Sequence, residues 1–425
     1  MISVFRNSWA LLLGIVFLMV GNGMQGTLLG VRADIEGFST TAISVVMSAY
    51  FMGFLLGSHF VPGMIRRVGH VRVFAALGSL ASAGLILYPV LTNPPAWTAL
   101  RLLLGFCFCG VYIVAESWLN NTTTNETRGR ALSLYIIAQM VGIVAAQAIF
   151  VLGDPADFHL FIVVSVLVSL AFAPILLSAT PMPPFEKAKP MSFRKLFQVS
   201  PLGFVGIFLM GAVFSAMFGM AGVFGAQARL SSAQIALFVS AMYTGGLVLQ
   251  YPIGWASDRY DRRVMVVAGA VIGWLACGLG VSGYGGVSGL MVAAFLIGGM
   301  ANPLYALLLA YTNDRLEADD MASASARLLF VNGVGAIGGP ILTGWLMSVA
   351  GPGGFFLFIG ALMAALAGYA IWRMRRRGLE VVDESANYVV LSPMAVTPVT
   401  IGTAVETWES AGDETGTPEE TEKAA

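Results

Sequence analysis

The sequence predicts an all-α polytopic membrane protein, with twelve transmembrane helices in two six-helix pseudo-symmetric halves. Three observations carry this prediction. The chain contains twelve apolar stretches of membrane-spanning length, its basic residues fall in alternate gaps between them, and the second half repeats features of the first. Hydrophobic residues make up 57% of the chain and charged residues 11%, with a mean hydropathy of +0.80. A soluble domain carries about 25% charged residues.

A helix needs about 20 apolar residues to cross a bilayer. Stretches 8–30, 42–65, 71–91, 96–119, 131–152 and 158–178 meet this length in the first half, and 201–225, 233–256, 264–283, 287–311, 327–349 and 354–372 in the second. The N-terminus and every second gap hold Arg6, Arg66, Arg67, Arg72, Arg128, Arg130, Lys187, Lys189, Arg194, Lys195, Arg259, Arg262, Arg263, Arg315, Arg327, Arg373, Arg375, Arg376, Arg377 and Lys423. Of the 23 basic residues only Arg32, Arg101 and Arg229 lie elsewhere. Positive residues stay on the cytoplasmic side, so both termini are expected there, in a cell inner membrane.

Taken in order, span 1 is long and lacks a small-residue cleavage site, which makes it a retained span and not a signal peptide. Its Asn22 and Gln25 are three apart and share a face. Span 2 carries Tyr50 and Gly53 and runs into the basic loop Arg66–Arg72; span 8 carries Tyr243, Gly246 and Gln250 and runs into Asp258–Arg263. The offset of 192 to 193 residues, one half-molecule, is the internal symmetry of secondary transporters, although matching the Tyr and the loop together needs a one-residue slip. Gln139 and Gln147 lie on span 5, Asn302, Pro303 and Tyr305 on span 10, and Asn332 on span 11. One such amide alone reads as an interhelical hydrogen bond of about 0.6 kcal/mol. So many at mid-span depth imply a wet interior.

Span 4 is the most informative helix. At 100° per residue, Gly105, Phe108 and Tyr112 fall within about 40° of Arg101, and Glu116 within about 60°. Arg101 and Glu116 stand about 22 Å apart along the axis and cannot pair. An ionisable group inside a span is costly and is by default a functional candidate. Arg101 either snorkels to the outer headgroups or lines the substrate path. Glu116 either pairs with Arg66, Arg67 or Arg72 at the cytoplasmic face or carries a proton.

Residues 1–178 and 201–372 are expected to form the two bundles, joined by a cytoplasmic connection at 179–200. That connection has four prolines, then a basic amphipathic piece, Met191–Phe197, which is either a plain linker or lies on the inner leaflet. Residues 373–425 start with arginines, then turn acidic and rich in Thr, Glu and Pro, and are expected to be a mostly disordered cytoplasmic tail. Its apolar stretch from Asn387 to Gly402 is a candidate docking segment.

The chain resembles the major facilitator superfamily in its twelve-span bacterial form, over roughly residues 8–372, and within it the uncharacterised YcaD-like branch. Gly254-Trp255-Ala256-Ser257-Asp258-Arg259-Tyr260-Asp261-Arg262-Arg263 matches the family's loop signature except for Asp261 in place of Gly. Arg101 and Gly105 match its span-4 Arg-x-x-x-Gly, and Gly335, Gly339 and Pro340 its Gly-x-x-x-Gly-Pro pattern. The resemblance implies a cytoplasmic latch in these loops, in which an Asp caps a helix N-terminus of the opposite half. The first loop has Arg66 at that place, and a cation cannot meet a helix N-terminus. Span 5 also lacks the Gly-Pro of the family's antiporters.

The resulting expectation is a secondary transporter of a small solute that works by alternating access, with protons as a possible coupling ion. The candidate substrate path is Asn22, Gln25, Arg101, Tyr112, Gln139, Tyr243, Gln250, Asn302, Tyr305 and Asn332. The candidate latch or coupling group is Arg66, Arg67, Arg72, Glu116, Asp258, Arg259, Arg262 and Arg263. A monomer embedded in the lipid bilayer is expected, with no cofactor, no metal and no nucleic-acid partner. No nucleophile or metal spacing points to an enzyme. A sensor or scaffold that kept the fold and lost transport is the competing class.

Overall fold

The computed structural model describes residues 2–121, 125–176, 191–316 and 318–376, together with Thr397 and Val399. The proline-rich connector and the rest of the tail lie outside these residues, as do the side chains of Arg128 and Arg130. Every regular element among the described residues is an α-helix. The first half comprises α1 (Ile2–Ile35), α2 (Thr40–Val68), α3 (His70–Leu87), α4 (Pro94–Asn121), α5 (Asn125–Leu152) and α6 (His159–Leu176). A short connector helix, α7 (Phe193–Val199), leads to α8 (Pro201–Gln227), α9 (Ser232–Ser257), α10 (Arg262–Ser282), α11 (Gly286–Asn313), α12 (Ala318–Ala350) and α13 (Gly354–Arg376). Eleven of these are long and apolar enough to cross a membrane; α6, with an apolar stretch His159–Ala173, is the shorter twelfth.

Local signals place the boundaries. Ser39 caps α2 by accepting from the Ala42 amide, and Ser231 with Gln234 makes a capping box at α9. Gly69 has φ +86° between α2 and α3, a conformation that L side chains rarely adopt. The corresponding turn between α9 and α10 is made differently. Asp261, the departure from the loop signature, has φ −53° and caps α10 by accepting from the Arg263 amide. No glycine is needed there, and an Asp stabilises the helix start.

The packing repeats between halves. In the first, α1 packs on α5 and α6, α2 on α4, and α3 on α4 and α6; in the second, α8 packs on α12 and α13, α9 on α11, and α10 on α11 and α13. A Cβ on Gly53 would stand 1.9 Å from the Leu102 carbonyl, and one on Gly105 would stand 2.0 Å from the Tyr50 carbonyl. Gly245 meets the Phe295 carbonyl and Gly298 the Met242 carbonyl in the same way, at 2.0 and 1.9 Å. These equivalences correct the sequence alignment of the halves. Tyr50 and Gly53 correspond to Met242 and Gly245, not to Tyr243 and Gly246, which removes the one-residue slip.

The halves meet where α1 packs on α8, α2 on α12 and α5 on α9. Their tightest approaches lie toward the end remote from the basic loops. There Gly26 meets the Phe218 carbonyl, Gly222 meets Thr27, and Gly344 meets Ser44. Gln227 Nε2 donates to Thr40 Oγ1 at 2.6 Å, and Ser48 Oγ donates to the Ile337 carbonyl. The peripheral α10 instead exposes Val264, Ile272, Trp274 and Leu275. An apolar face of this kind is stable against lipid and not against water.

Candidate functional site

A cavity sits on the seam between the halves, at mid-depth along α2, α8 and α12. Its walls include Tyr50, Phe51, Phe54, Leu55 and Ser58 from α2, Phe214, Met217 and Phe218 from α8, Tyr243 from α9, and Leu329, Asn332 and Ala336 from α12. Aromatic rings dominate the wall, and few polar groups interrupt them. A pocket built this way binds an apolar body and orients it through a few fixed polar contacts.

One layer behind Tyr50 lies a polar cluster. Arg101 is fully buried, so it does not snorkel to headgroups. Its Nη1 donates to Gln25 Oε1 at 2.8 Å, and its Cζ stands 4.7 Å from the centre of the Tyr50 ring. Its Nη2 lies 3.4 Å from the Met47 thioether. Asn22 on α1 is also buried, and the Tyr112 hydroxyl faces the Met19 thioether at 3.6 Å. Phe54 connects the two layers, since it lines the cavity and its ring lies 6.4 Å from that of Tyr112.

The predicted substrate-path residues therefore divide. Tyr243 and Asn332 reach the cavity wall, whereas Asn22, Gln25, Arg101 and Tyr112 form the cluster behind it. Tyr305 is buried in the second half against Phe214, at 6.5 Å between ring centres. Asn302 donates to the Gly298 carbonyl of its own helix at 3.2 Å. Gln139 and Gln250 are buried away from the cavity wall. Tyr50 and the Phe residues of the wall were not singled out as site residues from sequence. Aromatic side chains in a span carry no sign of whether they face lipid, core or cavity.

The second predicted group also divides. Glu116 is buried; Tyr135 donates to its Oε1 at 2.7 Å and Thr397 of the tail donates to its Oε2. Arg66, Arg67 and Arg72 are exposed, and no ion pair among the described residues joins them to Glu116. In the second half, Arg262 Nη1 bonds both carboxylate oxygens of Asp314 at 2.8 Å, with both side chains buried. This pair ties α10 to the end of α11 within one half. Arg263 grips Asp261 at 3.0 Å, and Arg259 lies over the Trp255 ring at 4.0 Å. Burial alone would raise the Asp261 carboxyl, but the side-chain and backbone N–H groups of Arg263 outweigh it and hold the group below its ordinary value. Asp258 ends α9 as its C-cap.

The connector helix is docked on the second half. Lys195 pairs with Asp320 at 2.6 Å, Arg327 donates to the Met191 carbonyl at 2.9 Å, and Leu196 is fully buried. Phe193 and Phe197 stay exposed, the face that an inner leaflet would cover.

Comparison with known proteins agrees with this architecture. The Major Facilitator Superfamily profile matches residues 11–231 and 203–405. The chain is 24% identical over 371 residues to an uncharacterized MFS-type transporter of Enterobacter sp. strain 638, covering 87% of this chain and 95% of that one. It is 23% identical over 367 residues to the uncharacterized MFS-type transporter YcaD of Escherichia fergusonii, covering 85% and 94%. Among solved structures, a mutant of the nucleoside transporter NupG superposes with a TM-score of 0.74 at 16% identity, over 86% of this chain and 99% of that chain. A bacterial homolog of the human lysosomal transporter Spinster, inward-facing and unoccupied, gives 0.66 at 14% identity, over 96% and 95%. At these identities the structures speak to the fold alone. With family matches over both halves, eleven membrane-length helices with a shorter twelfth, and a cavity on the seam, the chain belongs to the major facilitator superfamily, as a multi-pass membrane transporter of the YcaD-like branch.

Proposed function

We propose that the protein is a secondary transporter that moves a small solute across the cytoplasmic membrane by alternating access. The observation that carries this reading is the cavity at mid-depth on the seam of two pseudo-symmetric halves, where substrate sites of such transporters lie. The basic loops and both termini face the cytoplasm in this reading, which the distribution of arginines supports. The close packing of α1 on α8 and of α2 on α12 lies at the opposite end, which fits an inward-facing state. Solute binding then shifts the population between this state and its outward-facing counterpart. The protein acts as a monomer.

Protons are the proposed coupling ion, and Glu116 their carrier. A carboxylate inside a span is costly to keep, and here two hydroxyls, of Tyr135 and Thr397, are directed at it. Such a group can exchange a proton as its hydroxyl partners move. The test uses purified protein in proteoliposomes with an imposed pH gradient. Glu116→Gln is expected to retain solute exchange and to lose accumulation driven by the gradient; equal accumulation by the variant rejects the proton role. The Thr397 contact also favours a second reading, a sensor or scaffold, since it places a tail residue against the in-span carboxylate. Proteoliposomes through which no solute passes would select that reading.

A further inference from the structure

The surroundings of Arg101 bear on what the solute is. Its Nη1 is taken by Gln25, but Nη2 has only the Met47 thioether, and Nε makes no hydrogen bond within the protein. A thioether is a weak acceptor. The side edge of the guanidinium, Nε with Nη2, thus lacks a strong partner. Arg101 is in no ion pair among the described residues. Around it, Gln25 Nε2 is also buried without a hydrogen bond, and the buried Asn22 amide has the Tyr50 and Tyr112 hydroxyls as its neighbours.

A group this deeply buried is unusual in such company. Desolvating a cation costs several kcal/mol, and an opposite charge with good geometry offsets the cost. The same molecule shows the ordinary solution at Arg262, which is also buried, at the loop end of α10, and pairs with Asp314 through two 2.8 Å contacts. Arg101 has the donor edge and no such acid. Two parallel N–H groups in a rigid fork fit the two oxygens of a carboxylate.

The guanidinium lies one ring behind the cavity wall. Tyr50 carries the guanidinium on its ring at 4.7 Å and is itself part of the cavity wall. The wall beyond it is formed by Phe51, Phe54, Phe214, Phe218 and Tyr243. Rings of this kind bury an apolar or aromatic body and give an ion no solvation.

We infer that the transported solute is an amphipathic carboxylate, whose carboxylate is held on the Nε–Nη2 edge of Arg101 while its apolar body fills the aromatic cavity. Tyr50 turns aside to admit the carboxylate, and the free Gln25 Nε2 donor serves its outer lone pairs. The binding claim stands on the geometry alone; that the bound acid is also carried rests on the transporter reading above.

The test is equilibrium binding of radiolabelled phenylacetate to the purified full chain in nanodiscs. Unlabelled phenylacetamide, acetate and benzylphosphonate serve as competitors. Phenylacetate is expected to bind saturably. The neutral amide and the short acid should each compete about tenfold or more weakly, since one lacks the charge-assisted pair and the other the apolar body. Arg101→Gln should weaken phenylacetate binding by about tenfold or more. If that variant does not fold, Arg101→Lys, which keeps the charge and loses the fork, should also weaken it markedly while eluting as a monodisperse protein.

The inference is overturned if phenylacetate does not saturate, if the amide competes as well as the acid, or if Arg101→Lys binds like the wild type. Tighter competition by benzylphosphonate overturns the choice of carboxylate over a tetrahedral anion. Proteoliposomes separate this result from the broader reading. Flux of a neutral solute without phenylacetate binding sinks the inference and leaves the transporter standing. Phenylacetate binding through Arg101 without flux of any solute does the reverse.

Discussion

Single residues in this chain show what a sequence can and cannot disclose about a charge. Arg101 was legible as a candidate because it is a cation in a span, yet periodicity gives a face and not the neighbours on it. Its partners, Gln25 on α1 and Tyr50 on α2, come from helices far away in sequence. Glu116 was legible for the same reason, and its partners were not. Tyr135 is one of many aromatics in spans, and Thr397 reaches it across 281 residues from the tail. Asp314 was missed as the partner of Arg262 because a loop acid after a span belongs to no motif. Asp261 is the opposite case, a departure from a signature that turns out to be a cap. Asp261→Ala should cost about 1 kcal/mol of stability at neutral pH through loss of the cap. The Arg263 contacts hold the Asp261 carboxyl below its ordinary value. Its contribution is therefore complete above the ordinary carboxylate pKa and is lost as the pH falls through the lowered folded value. Melting curves of purified protein over about pH 3 to 7 should show a gap between wild type and variant that closes toward acid. A gap that widens toward acid would contradict the assignment.

At the scale of helices, stretch length and basic gaps were sufficient to read the twelve spans. Each predicted span lies within or overlaps one observed helix, and α12 starts nine residues before its predicted span. The pairing of helices was less legible. Composition shows that glycines abound, and only the structure shows which of them face a neighbouring backbone. Gly105 and Gly298 each leave about 2 Å between a would-be Cβ and a carbonyl oxygen of the partner helix. Gly278 and Gly368 have nothing within 4 Å. Gly105→Ala and Gly298→Ala are expected to destabilise the fold by about 1–3 kcal/mol each, because backbone cannot move aside as a side-chain tip can. Gly278→Ala and Gly368→Ala should be neutral or slightly stabilising, since alanine favours helix. Thermal melting and purified yield of the four variants check this, and equal effects in both pairs would show that the α2–α4 and α9–α11 contacts are not the tight ones.

For the whole molecule, the pseudo-symmetry and the seam decide function together. Two halves that pack alike internally and meet through α1–α8, α2–α12 and α5–α9 are the arrangement that the proposed alternating access uses. The asymmetry between the two loops, with a buried Arg262–Asp314 pair in one and exposed arginines in the other, means that the halves are not braced alike at the basic end. The most direct measurement locks the opposite end. Thr40 and Gln227 touch across the seam at 2.6 Å, so cysteines at both positions can be joined by a short bis-methanethiosulfonate, cleavable by a reductant, on a background free of native cysteines. Proteoliposomes carrying this double variant are loaded with a metabolite extract, and solute loss is followed by mass spectrometry before cross-linking, after it and after cleavage. Alternating access predicts that at least one small solute leaves through the unlinked protein, is retained when the seam is locked, and leaves again once the link is cut. Equal loss with the seam locked, or no loss from any vesicle, would contradict the account.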